Sequence, residues 1–465
     1  MRMSVSETMA ACQARGDIRA FAEVLVESAT QDSRAAGPGA LFCCLPGSRA
    51  DGHDFAVRAV EQGASAVLAA RELPGLSGKA PVLVVEDVQR AMGLLARHWR
   101  RRVRPVVAAL SGSAGKTTAK EMLASITTVM GPSIKNPGNF NNQLGLPLSM
   151  LAAGAEHRTW VLELGISRVG DMEELAGICE PDLAVVHNVG PAHLEGLGDL
   201  RGVARAKAAL LGFVGESGTA LANKDYPELW AEAKKANPRV KAMSTRDPSA
   251  ENFCTYKGCS ANGMGVYSLM LEGSPLEVSL SCQGAHLAEN VLAAAAAARA
   301  LGATGEQIRE GLARAEFPKG RFAVRDTGTC VVIDDTYNAN PLSMTAAIGA
   351  ARALCGAGPL ALVLGEMGEL GKERDQAHEE LGRVIAASGC DVVRFKGPSA
   401  ALVRLGLERS GFAGSFAEVR EPSEIAELAA QASSTGGVVL FKGSRSQRME
   451  EFLERFLSDH EEGRR

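Results

Sequence analysis

The segment Ser111-Gly112-Ser113-Ala114-Gly115-Lys116-Thr117-Thr118 constrains this chain more than any other stretch. It follows an apolar run, Val106 to Leu110, and precedes a stretch with helical spacing from Lys116 to about Val129. Strand, glycine-bearing turn and helix in that order form the unit from which a mainly parallel sheet with covering helices is wound. The turn closes tightly at its glycines, and the helix N-terminus gathers unpaired N–H groups that attract an anion. Lys116 adds positive charge where the outer phosphates of a nucleotide lie, and the Thr117 hydroxyl is a hard oxygen ligand for magnesium. The strict eight-residue phosphate-loop pattern wants glycine where this chain has Leu110, so the match fails by one residue. In that structural context Gly112, Ser113, Ala114, Gly115, Lys116, Thr117 and Thr118 are the expected ATP-binding residues. A Gly-Lys turn without nucleotide is the alternative.

At 465 residues the chain is long enough for about three domains. Apolar runs at 40–45, 66–70 and 81–85, with helical spacing over 88–102, predict a small α/β unit over 1–104, which Pro105 closes. Strands at 106–110, 159–164 and 182–186 alternate with helices in a central unit over 105–318, and an irregular sheet is expected over 255–280. Strands at 331–334, 360–364, 391–395 and 438–441 predict a second, Rossmann-like α/β sheet over 319–465. The fold class is therefore α/β with three domains.

Composition excludes several functions. Fifty basic against fifty-four acidic residues leave a net charge of -4, which argues against a nucleic-acid or anionic-membrane partner. Residues 1–17 lack an apolar core of signal-peptide type, and the alanine-rich run after Asn290 is broken at Arg299, so a cytoplasmic protein without membrane insertion is expected. Ten cysteines without a C-x-x-C pair indicate neither a zinc site nor a disulfide frame.

A phosphate loop alone does not say how the energy is used. Glu163 ends an apolar strand, where a carboxylate can face the loop and hold magnesium. His193 follows another strand and could ligate a second ion, since ligands gather beyond the carboxyl ends of parallel strands. Lys207, on a helix, reads by itself as a solvated lysine. Asn139, Asn141 and Asn142 crowd a glycine-containing loop and serve either as turn formers or as amide donors and acceptors for a ligand. Asn290 could cap a helix, Arg321 could be a linker charge, and Lys442 could contact substrate or cover a sheet edge.

Taken together, these motifs resemble the Mur ligases, which build the peptide stem of bacterial peptidoglycan. The resemblance rests on S-G-S-A-G-K-T-T, Glu163 in E-L-G, N-V-G-P-A-H-L-E-G, the Lys207 helix, G-A-H-L-A-E-N, G-R-F at Arg321 and D-D-T-Y-N-A-N-P from Asp334. It extends to D-S-R and L-P-G-S-R-A-D-G-H-D-F in the first unit. The loop N-P-G-N-F-N-N-Q-L-G-L-P and the segment L-G-E-M-G-E-L-G are most similar to the branch that adds D-alanyl-D-alanine. The resemblance implies that UDP-N-acetylmuramoyl-tripeptide and D-alanyl-D-alanine are joined by a monomer through an acyl phosphate. By the same likeness Lys116, Lys207 and His193 are catalytic, and two Mg2+ ions are held by Thr117, Glu163, His193 and Lys207, the last carbamylated. Asn290, Arg321, Asp335 and Asn338 would bind ATP, with Asp335 rather than Asp334 turned outward. Ser33, Arg34, Gly52 and His53 would meet the uridine diphosphate, and Asn139, Asn141 and Asn142 the peptide. One departure is Ala209, where family members often carry glutamate two residues after the modified lysine. Another Mur-type or folylpolyglutamate-type ligase, or a phosphate-loop ATPase that does not ligate, stays open.

Overall fold

The computed structural model describes residues 1–47, 50–281 and 284–462. Among them, three larger sheets of four, nine and six strands follow one another along the chain. The first is all parallel, ordered Ser28–Thr30, Ala40–Cys43, Ala66–Ala69, Val82–Val84. Its inner strands are continuous apolar runs buried on both faces, the signature of a parallel sheet under helices.

The long helix Val88–Val103 ends this unit, started by Asp87, whose carboxylate accepts from the Arg90 N–H, and stopped by Arg104 in the left-handed region. Its apolar face does not stay within the first unit. Leu95, Ala96 and Trp99 share one core with Leu146, Met150 and Leu175 of the central unit, and the Trp99 indole donates to the Ala153 carbonyl at 2.9 Å. Around that face, Arg97 and Arg101 pair with Glu180 and Arg100 with Asp182 of the central unit, while Arg102, over the Trp99 ring, pairs with Glu7. The basic run at 100–104 is thus spent largely on the protein's own carboxylates.

The central sheet is mixed. Val106–Ser111, Thr159–Glu163, Leu183–Val186, Thr219–Asn223 and Lys241–Ser244 run parallel, and Asn252–Cys259 continues that direction. The stretch expected to be irregular is instead a regular antiparallel meander of Asn252–Cys259, Gly265–Leu271 and Ser274–Leu280 on the same sheet, with one register shift between Tyr256 and Gly258. Its turns are glycine-bearing, and its pattern alternates buried and exposed residues because one face alone is covered. The alanine-rich helix Ala288–Ala300 lies under this meander and against the helix Lys116–Met130. Small side chains let those two helices and the sheet approach closely.

The last sheet runs Ala323–Asp326, Val331–Asp335, Val438–Lys442, Leu360–Gly365, Val392–Lys396, Ser415–Glu418, parallel except for its first strand. Val438–Lys442 is central in it, so Lys442 covers no sheet edge. Within the described residues no helix is long and apolar enough to cross a membrane.

Candidate active site

Strand Val106–Ser111 is an interior strand of the central sheet, flanked by Leu183–Val186 and Thr159–Glu163, and the turn after it opens into a cavity of about 520 Å³ between the central and C-terminal units. Leu110, where the pattern wants glycine, is a fully buried strand residue, so the loop begins one step later. Gly112 needs its missing side chain, because a Cβ there would stand 2.6 Å from the His187 ring. Gly115 needs it twice over: its φ is +70°, and a Cβ would meet Asn290 Oδ1 at 2.3 Å. Asn290 therefore lies against the loop from inside its helix and is no helix cap.

Asn188 Oδ1 accepts from both the Ser113 and Ala114 amides, at 2.9 and 3.0 Å. Those two N–H groups are occupied within the protein, although both residues line the cavity. The open donors are the four orphan amides at the start of helix Lys116–Met130, from Gly115 to Thr118. Asn188 and His187, which donates from Nε2 to the Ala114 carbonyl at 2.7 Å, thus fix the loop's shape. Neither is conspicuous in the sequence, because nothing in a strand end announces which side chain turns back onto a distant loop.

Across the cavity floor, Glu163 is buried, with Oε1 accepting from Asn141 Nδ2 at 2.7 Å and Oε2 left without a partner. Lys207 is wholly buried, and its Nζ also lacks a partner. The reading of Lys207 as a solvated side chain is overturned. Burial, and next the charge of Lys116, hold its amine far below the ordinary lysine range, with Glu163 acting the other way. Lys116 reaches the cavity wall, its pKa lowered by burial. Two buried polar groups without partners are expensive, and a native fold keeps such atoms where a ligand completes them. Among the described residues no three His, Cys, Asp or Glu side chains converge, so a magnesium ion here would draw on one carboxylate, the Thr117 hydroxyl and ligand oxygens.

The C-terminal unit supplies the roof. Arg321 Nη2 donates to Thr117 Oγ1 at 3.2 Å, and its guanidinium lies 3.8 Å from the Tyr337 ring centroid. Asp335 lines the cavity while Asp334 turns to the Gly320 amide and the Thr336 hydroxyl. Asp335 is not an open carboxylate: Lys442 Nζ donates to Oδ2 at 2.6 Å, the Phe322 N–H to Oδ1, and burial still raises its pKa. Lys442 also donates to the Asn338 carbonyl at 2.9 Å. Asn340 begins helix Pro341–Cys355 with a capping box and uses its Nδ2 to bond the Ser113 carbonyl at 3.0 Å, joining roof to loop. A second joint forms where His193, at φ +55°, meets Glu369, at φ +62°: Nδ1 lies 2.5 Å from Oε2, and the Leu194 N–H donates to the Glu369 carbonyl. Glu369 crowds Nδ1 without a well-formed hydrogen bond, which leaves Nε2 as the ring nitrogen clear of that carboxylate.

Asn139, Asn141 and Asn142 line the cavity together, and Asn142 Oδ1 additionally accepts from the Leu144 and Gly145 amides, so it is a turn former as well. Tyr226, Thr245, His286 and Glu289 line it too and are absent from the sequence-based set. The first-unit residues do not line it. Ser33 is buried and Arg34 pairs with its neighbour Asp32. His53 Nδ1–H donates to Asp51 at 2.5 Å and Nε2 accepts from the Ala70 amide, leaving its ring no free nitrogen. A Cβ on Gly52 would strike the Leu45 backbone at 2.7 Å. Ser48 and Arg49 of that motif lie outside the described residues.

Three family patterns match in order: "Mur ligase family, catalytic domain" over 26–100, "Mur ligase middle domain" over 110–298, and "Mur ligase, glutamate ligase domain" over 320–445. The chain belongs to the Mur ligase family. Its similarity to the UDP-N-acetylmuramoyl-tripeptide–D-alanyl-D-alanine ligase of Escherichia coli is 34% identity over 93% of this chain and 94% of that one. The ligase of the same name from Bacillus subtilis is 30% identical over 93% of each. A crystal structure of MurF from Acinetobacter baumannii superposes with a TM-score of 0.89, covering 98% of this chain and 99% of that one at 30% identity. MurF from Thermotoga maritima in complex with ADP gives 0.82 at 30% identity, over 94% and 98%. This Mur ligase thus shares its three-domain α/β architecture with MurF structures. A folylpolyglutamate synthase from Mycobacterium tuberculosis, at 16% identity and a TM-score of 0.61, shares the fold.

Proposed function

We propose that this Mur ligase is an ATP-dependent peptide ligase joining D-alanyl-D-alanine to UDP-N-acetylmuramoyl-tripeptide. One observation carries the reading: the phosphate loop, Glu163, the asparagine loop and Arg321, Asp335 and Asn338 wall a single cavity, in a chain alike along nearly its whole length to ligases of that name. The units 1–104, 105–318 and 319–465 then grip the uridine diphosphate, the ATP and the incoming dipeptide respectively, with Ser33 and Arg34 in the first unit facing the diphosphate. Gly52 and His53 act there by shaping the backbone.

The tripeptide's terminal carboxylate attacks the γ-phosphorus, the bond to the β,γ-bridging oxygen breaks, and ADP leaves with that electron pair. The dipeptide amine then adds to the acyl carbon, loses a proton and expels phosphate. Both first reactants are anions, so the protein's task is to position them and supply positive charge. The Gly115 to Thr118 amides and Lys116 hold the outer phosphates, while Arg321 reaches over from the roof. Asn290 and Asn338 hold the rest of the nucleotide. Asp335, already fixed by Lys442, accepts from ribose hydroxyls. Asn139 and Asn141 orient the peptide.

The unpartnered Glu163 Oε2 fits magnesium, and Lys207 would do so once carbamylated, with Thr117 and His193 Nε2 completing the protein's share of two ions. When bound, the ions offset the negative charge shared by carboxylate and phosphate. Lys207 fits carbamylation for a physical reason. Burial favours its neutral amine, which adds to CO2 and releases a proton, and the resulting carboxylate is an anionic ligand where a bare cation would repel the ions. Phosphate release should require both muramoyl tripeptide and D-alanyl-D-alanine. A rate indifferent to the dipeptide would leave an ATPase, and a preference for glutamate as the amine would leave a folylpolyglutamate-type ligase.

A further inference from the structure

Lys120 lies on helix Lys116–Met130, one turn beyond Lys116 and Thr117 and on the same side, yet it has no place in the chemistry above. It is 0% exposed. A lysine is almost never buried so completely unless its ammonium is fully engaged. Here Nζ donates to the Asn136 carbonyl at 2.8 Å and the Gly138 carbonyl at 3.2 Å, and stands 3.1 Å from Glu121 Oε1. Two hydrogen bonds to carbonyl acceptors and one ion-pair contact to a carboxylate acceptor thus engage the ammonium. Two of those acceptors are backbone carbonyls of the segment that carries the cavity's asparagines.

That segment in turn grips Glu163. The buried Asn136 accepts from the Glu163 N–H at Oδ1 and donates from Nδ2 to the Glu163 carbonyl, both at 2.9 Å. A further bond from Nδ2 to the Phe140 carbonyl, also 2.9 Å, closes the loop on itself. Asn141 donates to Glu163 Oε1, and the Gly165 N–H returns a bond to the Asn141 carbonyl at 2.8 Å. Glu163 is held at both backbone groups and one carboxylate oxygen, and its other oxygen alone is open. If the site needed only packing under the loop, an apolar side chain would do so without the cost of burying an ammonium.

We propose that Lys120 is a positioning residue that sets the asparagine loop and, through it, the orientation of Glu163 toward magnesium, coupling the phosphate-loop helix to the acyl-donor side of the site. The assignment rests on the reading of Glu163 as a magnesium ligand. It differs from a merely structural role in what a substitution changes: metal and tripeptide affinity shift, while metal-free nucleotide affinity does not.

The test uses the full-length enzyme and Lys120→Met, with ADP affinity measured by calorimetry across a magnesium series and in EDTA, and KM measured for UDP-N-acetylmuramoyl-tripeptide. The magnesium half-saturation and that KM should each rise about tenfold, as when a group orienting a metal ligand is lost. ADP affinity in EDTA should stay within about twofold, and Leu123→Ala in the same helix should lower Tm without moving either quantity. Asn141→Ala should raise the magnesium half-saturation as well, and the double variant should be no worse than the worse single one, because both act on one device. Unchanged half-saturation and KM in Lys120→Met, or effects that simply add, overturn the assignment. Should Lys120→Met not fold, Lys120→Gln, which keeps an N–H donor for the loop carbonyls, is read by the same criteria. If ADP binding by the unaltered enzyme ignores magnesium, the metal reading itself fails and takes this assignment with it; a magnesium-dependent enzyme whose Lys120 variants behave normally fails the assignment alone.

Discussion

The central cavity and the loops of the first unit were both picked out by the same kinds of residue, yet they are built in opposite ways. At the cavity Glu163 Oε2, and behind the lining Lys207 Nζ, are buried with their hydrogen bonding incomplete. In the first unit, Arg34 is paired with Asp32 two residues away, and His53 spends both ring nitrogens on Asp51 and Ala70. Groups of the first kind hold energy in reserve for a ligand. Groups of the second kind are already satisfied, and serve a ligand by holding the backbone in shape or by exchanging one partner for another.

The strongest way to break that contrast is Lys207→Met. Met fills nearly the same volume and removes a bare amine from a dry site, so Tm should not fall, while the ligation rate should drop roughly 10²- to 10³-fold, the size of effect expected when one electrostatic contributor to such a site is deleted. Partial recovery of Lys207→Ala by added short carboxylic acids would tie the loss to a missing anion. If Lys207→Met is instead much less stable and its rate falls only in proportion to the folded fraction, Lys207 is a structural residue after all, and the two regions do not differ in kind.

A smaller effect is expected at Arg34. Its guanidinium is mostly exposed and its pair with Asp32 is local, a type of contact that adds little to stability. Arg34→Ala should move Tm by no more than about a degree. If the guanidinium leaves Asp32 for the diphosphate, the KM for UDP-N-acetylmuramoyl-tripeptide should still rise about tenfold, with the KM for ATP unmoved. A variant with both constants unchanged would show that the Asp32 pair is the whole role of Arg34.

The same contrast explains what was legible in the sequence. The phosphate loop was readable because its parts are contiguous: strand, glycines, lysine and helix all lie within 106–130. The parallel strands were readable as apolar runs. By contrast, Asn188 reaches the loop from 74 residues away, and Tyr226 and Glu289 meet across 63; no local pattern reports such contacts. Lys207 and Lys120 were opaque for a different reason. On a helix a lysine reads as solvated, and only the packing around it reveals that it is not. Asp335 and Lys442 were each noticed, but their ion pair was not, because it forms only when two neighbouring parallel strands come into register.

The smallest expected effect tests the self-satisfied end of the comparison. The His53 ring beside Asp51 is the chief cause holding its carboxyl down at about 2, with the His53 backbone N–H second. An aspartate in an unfolded chain titrates near 4. Between those values the unfolded state binds more protons than the folded one, so stability rises with pH there. The contribution is fully present above about 4 and disappears as pH falls through about 2. Asp51→Asn should therefore flatten the acid limb of the thermal midpoint between about pH 4 and 2, leaving the profile above that range parallel to the parent. It should also leave ATP affinity alone, since neither Asp51 nor His53 borders the cavity. An unflattened acid limb would mean that the His53 pair is not what holds the Gly52 turn, and that this turn, like the phosphate loop, is waiting for a ligand to complete it.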